Sequence, residues 1–311
     1  MLARIANNLY WTGRYLERSE HLARYLSVQY QSMLDAPMSQ DRSFTLDSIQ
    51  NMYGLETADG EQLDERVVLE RVGMSYETPL SIRSTIRAAR ENASALRHVI
   101  GTELWQSINA YYLYSNKQKP EYFVTHGLHE FTEKVVRHVA VIRSRIDDTL
   151  LHDDHWVLIK LGIHLERTAQ VIRILSSKLH DIEVMASRGA SPALRQYQGT
   201  VILKILEGFD MHQKLYRRVL TPKTTIDFLV VHPQFSRSLA YNMNVVLRLL
   251  ERIEADHTNR KNDLLFRAGK LYSQFRYQEY EAVAHYIGDH LDRGLEEVYA
   301  LHEAIAEQYF A

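Results

Sequence analysis

The chain has 311 residues, 45% hydrophobic and 24% charged, with a formal net charge of −2. That balance is ordinary for a globular protein, and it lacks the basic footprint of a nucleic-acid or anionic-membrane binder. Cysteine is absent, which rules out disulfides, iron–sulfur clusters and thiol catalysis.

Taken in chain order, the elements read as helices. Ile5, Leu9, Leu16, Ala23, Leu26, Tyr30 and Met33 recur at three- and four-residue intervals, which predicts a helix over 2–35. Loops are expected in 36–64, at Asp35-Ala36-Pro37 and Ala58-Asp59-Gly60, with shorter helix within 43–72. Long helices are expected at 79–115, 120–150 and 152–187, the last carrying Leu158, Leu161, Leu165, Val171, Ile172 and Leu175 on a helical period. Ser191-Pro192 and Thr221-Pro222 each read as an N-cap followed by a proline in the first turn, a helix-start signature. They open helices at 191–219 and 222–231. Helices at 236–257 and 260–309 complete the chain, the last broken near Gly288. Strand alternation is nearly absent; its best candidate, 228–231, is too short. No apolar run approaches the roughly 18 residues of a membrane span, and Met-Leu-Ala-Arg-Ile-Ala-Asn-Asn at the start has no signal-peptide core. The expected architecture is all-α, a single compact multi-helix bundle over 1–311, in the cytoplasm of a bacterial cell.

One internal echo stands out. Residues 9–26 and 158–175, offset by 149, share seven identities in 18 positions: Leu9/Leu158, Gly13/Gly162, Leu16/Leu165, Glu17/Glu166, Arg18/Arg167, Arg24/Arg173 and Leu26/Leu175. Five Glu-Arg dipeptides occur in the chain where composition gives about two, so the extended echo is the informative part. Leu9, Gly13 and Glu17 lie at i, i+4 and i+8 and share a helix face, as do Leu158, Gly162 and Glu166. A mid-helix glycine costs about 1 kcal/mol against alanine, so its presence at both positions implies a close approach by another group. Glu17 and Glu166 are expected at the edge of the buried stripe. Two readings stay open: structural Glu-Arg struts across a pseudo-twofold, or a polar cleft that handles an amine and a carboxylate or phosphate.

Arg83, Arg87, Arg90 and Arg97 form a stripe along one predicted helix, suited to carboxylate or phosphate or simply solvated. Fifteen histidines yield one Glu-x-x-His spacing, Glu254-x-x-His257, while His126-x-x-His129 and His152-Asp153-Asp154-His155 stand alone and His-Glu-x-x-His is absent. No metal site is expected. Phosphate-binding glycine loops and the Gly-x-Ser-x-Gly elbow are also missing, so no cofactor is expected and any ATP belongs to a partner.

Residues 7–26, Asn-Asn-Leu-Tyr-Trp-Thr-Gly-Arg-Tyr-Leu-Glu-Arg-Ser-Glu-His-Leu-Ala-Arg-Tyr-Leu, resemble the N-terminal signature of the alpha-E family, an all-helical bacterial family named for its Glu-Arg motif. The resemblance continues through Arg87-Ala88-Ala89-Arg90-Glu91-Asn92, Glu103-Leu104-Trp105, the second Leu-Glu-Arg within 156–175, Asp227-Phe228-Leu229, Pro233-x-Phe235-x-Arg237-Ser238 and Gln308-Tyr309-Phe310. It departs at His232 and at Thr168-Ala169-Gln170, where family members usually carry an acidic residue. The resemblance implies a setting beside circularly permuted ATP-grasp proteins, often with a transglutaminase-like protease. Such ligases join a carboxylate to an amine through an acyl-phosphate. The expected role is an accessory or catalytic component of peptide synthesis or tagging; the alternative is a non-enzymatic helical scaffold that docks the ligase or its substrate. In the first version Tyr10, Arg14, Glu17 and Arg18, with Glu166 and Arg167, hold a peptide or amino acid. Arg87 and Arg90 take its carboxylate, and Glu17 or Glu166 is the general base. No nucleic acid and no membrane partner is expected.

Overall fold

Short polar caps and apolar stripes set the helices. Asp64, Ser81, Ser191, Thr221 and Ser238 each accept a backbone N–H of the first turn that follows, which satisfies an otherwise orphaned donor. The Thr221 cap is reciprocal, because the Thr224 hydroxyl accepts the Thr221 N–H. A computed structural model describes residues 2–35, 42–55, 63–122, 127–254 and 264–311. Pro37, the 58–60 loop, His126 and His257 lie outside the described residues.

Two compact units are distinguished, Met1–Ile163 and His164–Ala311. The first contains α1 (Ala3–Asp35), α2 (Arg42–Met52), α3 (Glu65–Met74), α4 (Ile82–Ala95), α5 (Arg97–Ile100), α6 (Thr102–Lys117), α7 (Pro120–Tyr122) and α8 (Leu128–Thr149), plus the start of α9 (Asp154–Ser187). Helix α1 packs on α4 and α8, and α6 packs on the same two, so the four close a ring. Its core comes from Leu9, Leu16 and Leu26 of α1, Ile82 and Ile86 of α4, Ile108 of α6, and Val135, Val139 and Ile142 of α8. Tyr53 donates to the Leu22 carbonyl at 2.9 Å and Tyr25 bonds Ser48, which ties α2 to α1.

The second unit holds the rest of α9, then α10 (Pro192–Ile205), α11 (Phe209–Tyr216), α12 (Pro222–Ile226) and a π-helical turn (Asp227–Val231). Helices α13 (Leu239–Ile253), α14 (Leu264–Arg276), α15 (Tyr280–Val283) and α16 (Ile287–Tyr309) follow. Helix α14 packs on α13 and α16, with Phe275 against Gly294. The described residues are all-α, as the sequence implies, and 228–231 is π-helical rather than extended.

Three expected long helices are broken. Gly101, at φ +74°, separates α5 from α6 within 79–115, a backbone region glycine enters freely. Glu207 at φ +50° ends α10 within 191–219. The last helix breaks at 277–279 and 284–286, so Gly288 sits in the first turn of α16. The break at 284–286 falls near Gly288, where one was expected, while apolar periodicity runs through the other three.

The echoed glycines have a structural explanation. A Cβ on Gly13 would overlap the Ile159 carbonyl oxygen and come within 3.2 Å of the Ile163 nitrogen. A Cβ on Gly162 would overlap the Tyr10 carbonyl oxygen and come within 3.2 Å of the Arg14 nitrogen. Tyr10 and Ile159, like Arg14 and Ile163, are themselves 149 apart, so the backbone contact of α1 and α9 is reciprocal.

Two predictions follow from this packing. Gly13→Ala or Gly162→Ala loses about 2 kcal/mol or more by chemical denaturation, since backbone overlap outweighs the roughly 1 kcal/mol of helix propensity gained. Gly269→Ala in α14, whose Cβ would meet only a Leu247 methyl at 4.0 Å, gains about 0.5–1 kcal/mol. In the second unit His212 is fully buried against Tyr216 and Phe228. Burial pushes its pKa down, partly offset by the Thr224 backbone, and burial likewise lowers His138, His232 and His290. The unfolded chain therefore binds protons that the folded one refuses. Stability is full above the ordinary histidine value near 6.5 and falls as pH drops through it. Melting curves from pH 8 to 5 should show that fall, with a shallower slope in His212→Phe.

Candidate functional site

The first Leu-Glu-Arg motif builds a buried charge network on α1. Glu17 is 1% exposed, and its Oε1 meets His21 Nε2 at 3.0 Å while Oε2 faces Arg143 Nη1 of α8 at 3.5 Å. Glu20, fully buried, accepts from both Arg24 and Arg143. Two carboxylates sealed from water need such partners, because uncompensated burial of a charge is very costly. Nearby, burial raises the pKa of the Tyr111 hydroxyl, and Tyr111 stacks on His138 at 5.3 Å.

The other expected groove residues on α1 are stacked on rings. Tyr10 is buried, edge-on to Trp11. Arg14, 3% exposed, lies over the Trp11 ring at 4.8 Å. Arg18, half-buried, lies 5.7 Å over Tyr15. The second motif, in the second unit, has its own bonding. Glu166 is 1% exposed and accepts from Gln170 Nε2 at 2.8 Å, and Arg167 is buried. Beside them His164 Nδ1 pairs with Asn242 Oδ1 at 2.9 Å. Both motif glutamates are thus bonded by the residue four positions on, and both are buried outright rather than lying at the edge of the stripe.

The expected arginine stripe is split between two helices, since Arg83, Arg87 and Arg90 lie on α4, which ends at Ala95, while Arg97 opens α5. Arg83 donates to the Ser115 and Gln118 carbonyls at 2.9 and 2.7 Å, which satisfies the C-terminal end of α6. Arg87, Arg90 and Arg97 stay at the surface, each laid on a ring: Arg87 over Tyr76 at 4.6 Å, Arg90 over Tyr112 at 4.6 Å, Arg97 over Trp105 at 4.0 Å. Arg90 Nε also donates to Asn109 Oδ1 at 2.9 Å. Among the described residues the acidic neighbour in range is Glu91, at 3.9 Å from Arg87 and largely exposed itself. Guanidiniums resting on rings at the surface suit bidentate carboxylate or phosphate.

Helices carrying the Glu-Arg dipeptide decide the relationship. Residues 1–310 match the family model Alpha-E, described as a predicted alpha-helical domain with a conserved ER motif. The chain belongs to the Alpha-E family. This Alpha-E chain is 21% identical over 276 residues to the uncharacterized protein Rv2567 of Mycobacterium tuberculosis and to the uncharacterized protein Mb2597 of Mycobacterium bovis. The match covers 81% of this chain and 29% of each relative, so the Alpha-E chain spans under a third of their length. No solved structure matches it.

Sequence reasoning missed Arg143 and Glu20 as partners in the Alpha-E network. Nothing in the spacing of α8 marks Arg143, since its role depends on packing against α1. It missed the ring platforms as well, although Trp105 falls in a stretch of family resemblance. In the histidine-rich 152–155 segment His155 meets Asp153 at 3.0 Å, and His152 stacks on Trp156 at 4.4 Å. Among the described residues no group of three or more His, Asp or Glu side chains could hold a metal ion, and no helix is long and apolar enough to cross a membrane.

Arg143→Met should destabilise the protein by about 3 kcal/mol, since it strips a partner from two buried carboxylates. Arg87→Ala and Arg90→Ala should each cost under about 1 kcal/mol, the scale of an exposed ring-stacked cation. Urea denaturation of the three variants measures both.

Proposed function

We propose that this Alpha-E chain is the binding component, rather than the catalyst, of a carboxylate–amine ligation system. An ATP-grasp partner carries out the bond-making chemistry, in peptide synthesis or peptide tagging. The observation that carries this reading is the contrast between the two arginine and glutamate sets. Glu17 and Glu166 are sealed, whereas a general base must come within hydrogen-bond reach of the proton it takes. Arg87, Arg90 and Arg97 are reachable and prearranged for an anion.

The ligand is the carboxylate end of a peptide or an amino acid. Stacking of unpaired bases is disfavoured on this face, because guanidiniums already cover the rings of Tyr76, Tyr112 and Trp105. The relatives' greater length supports a component role, since there the Alpha-E portion is joined to more than twice its own length of other chain. A transglutaminase-like protease is a further partner in this reading, and the cytoplasm, with its ATP supply, is the compartment.

The test supplies a circularly permuted ATP-grasp protein with ATP, amino acids and peptides, with and without this chain. It follows ATP turnover and looks for an amide product by mass spectrometry. Product or rate should depend on the chain. The Arg87→Ala/Arg90→Ala pair should raise the peptide KM about tenfold, or roughly 1.4 kcal/mol of binding, with kcat kept. Folded Glu17→Gln should remain active. Identical turnover without the chain, or loss of product in a Glu17→Gln variant of unchanged Tm, contradicts the reading.

A further inference from the structure

The second unit contains a cavity of about 480 Å³ that no part of the reading above uses. Its walls are Leu179 and Ile182 of α9, Ile202 of α10, Leu220, and Ile226 of α12, all aliphatic. It opens past Val219, which is 73% exposed. An engineered apolar cavity of about 150 Å³ already takes up benzene, and this one is about three times that volume.

The polar groups of the lining are already engaged. Gln196 Nε2 donates to the Leu220 carbonyl at 3.2 Å, Thr225 Oγ1 donates to the Thr221 carbonyl at 3.0 Å, and the Thr221 hydroxyl is held in the cap with Thr224. Among the described residues no Asp, Glu, Lys, Arg or His lines the space. A ligand here gains by burying apolar surface, and a charged end has no partner among those lining residues. Gly199 keeps the wall low: a Cβ there would meet the Leu220 Cδ2 methyl at 2.6 Å and push that side chain inward. The Pro222 ring and the Thr221–Thr224 cap hold the opposite edge rigid, so the site is preformed.

We infer that this cavity binds an unbranched aliphatic chain, inserted methyl-end first with an uncharged attachment left at the mouth by Val219. The volume admits a ligand larger than benzene, and the aliphatic wall sets the chemistry. The chain can come from a free lipid alcohol or from an acyl group on a peptide.

The test titrates full-length protein with 1-decanol in one arm and N-decanoylglycinamide in the other, following methyl resonances by NMR. The expected result is saturable 1:1 binding in at least one arm. Shifts should centre on Ile182, Ile202 and Ile226, and the tighter arm identifies the source. Ile202→Phe, which fills the space, should weaken binding at least tenfold. Gly199→Ala should do the same if Ile202→Phe fails to fold, with circular dichroism and Tm checking the fold of each. No saturation in either arm, shifts centred elsewhere, or unchanged affinity in a folded filling variant overturns the inference.

Discussion

The first unit depends on one contact: the backbone of α1 at Tyr10–Arg14 lying against the backbone of α9 at Ile159–Ile163. No side chain larger than hydrogen fits at Gly13 or Gly162, since a Cβ at either would occupy the space of a carbonyl oxygen. Once the helices are that close, the residues one turn on are drawn inside. Glu17 is one of them, and it must then be compensated. His21 from its own helix and Arg143 from α8 supply that compensation. Glycine, glutamate and arginine in the motif therefore answer successive demands of a single packing geometry.

A buried ion network stabilises little by itself, because desolvation offsets most of the attraction. Its effect is to make the arrangement specific. Glu20 accepts from two arginines and Glu17 meets a histidine and an arginine, so sliding α1 along α8 by one turn would take Arg143 from both carboxylates and leave each only its partner on α1. The arginine-bearing face of α4 and α5 is under no such demand. Its guanidiniums rest on rings at the surface, which is why the ligand reading attaches to Arg87, Arg90 and Arg97 rather than to the motif.

Much of the fold was legible in the sequence. The apolar period located the helices, and Ser191-Pro192 and Thr221-Pro222 fixed two helix starts that the structure retains. The cost of glycine in a helix led to the close approach, although not to the identity of the partner backbone. The breaks at Gly101, Glu207 and 277–279 were hidden, because periodicity reports which face is buried and not whether the backbone continues. The site was less legible. Spacing placed Glu17 at the rim of a stripe; its burial follows from how closely α9 approaches, which no local pattern encodes. Arg143 lies 126 residues away in sequence, and only packing brings it to Glu17.

The central claim is that Gly13 and Gly162 serve one reciprocal contact, and a double-mutant cycle tests it directly. Equilibrium unfolding of Gly13→Ala, Gly162→Ala and the double variant yields the coupling energy between the two positions. If both glycines maintain the same approach, the first alanine already forces the helices apart and the second adds little. The account predicts a double-variant loss well below the sum of the singles, with coupling of about 1 kcal/mol or more. Additive losses, or alanine at either position leaving stability unchanged or improved, would contradict it.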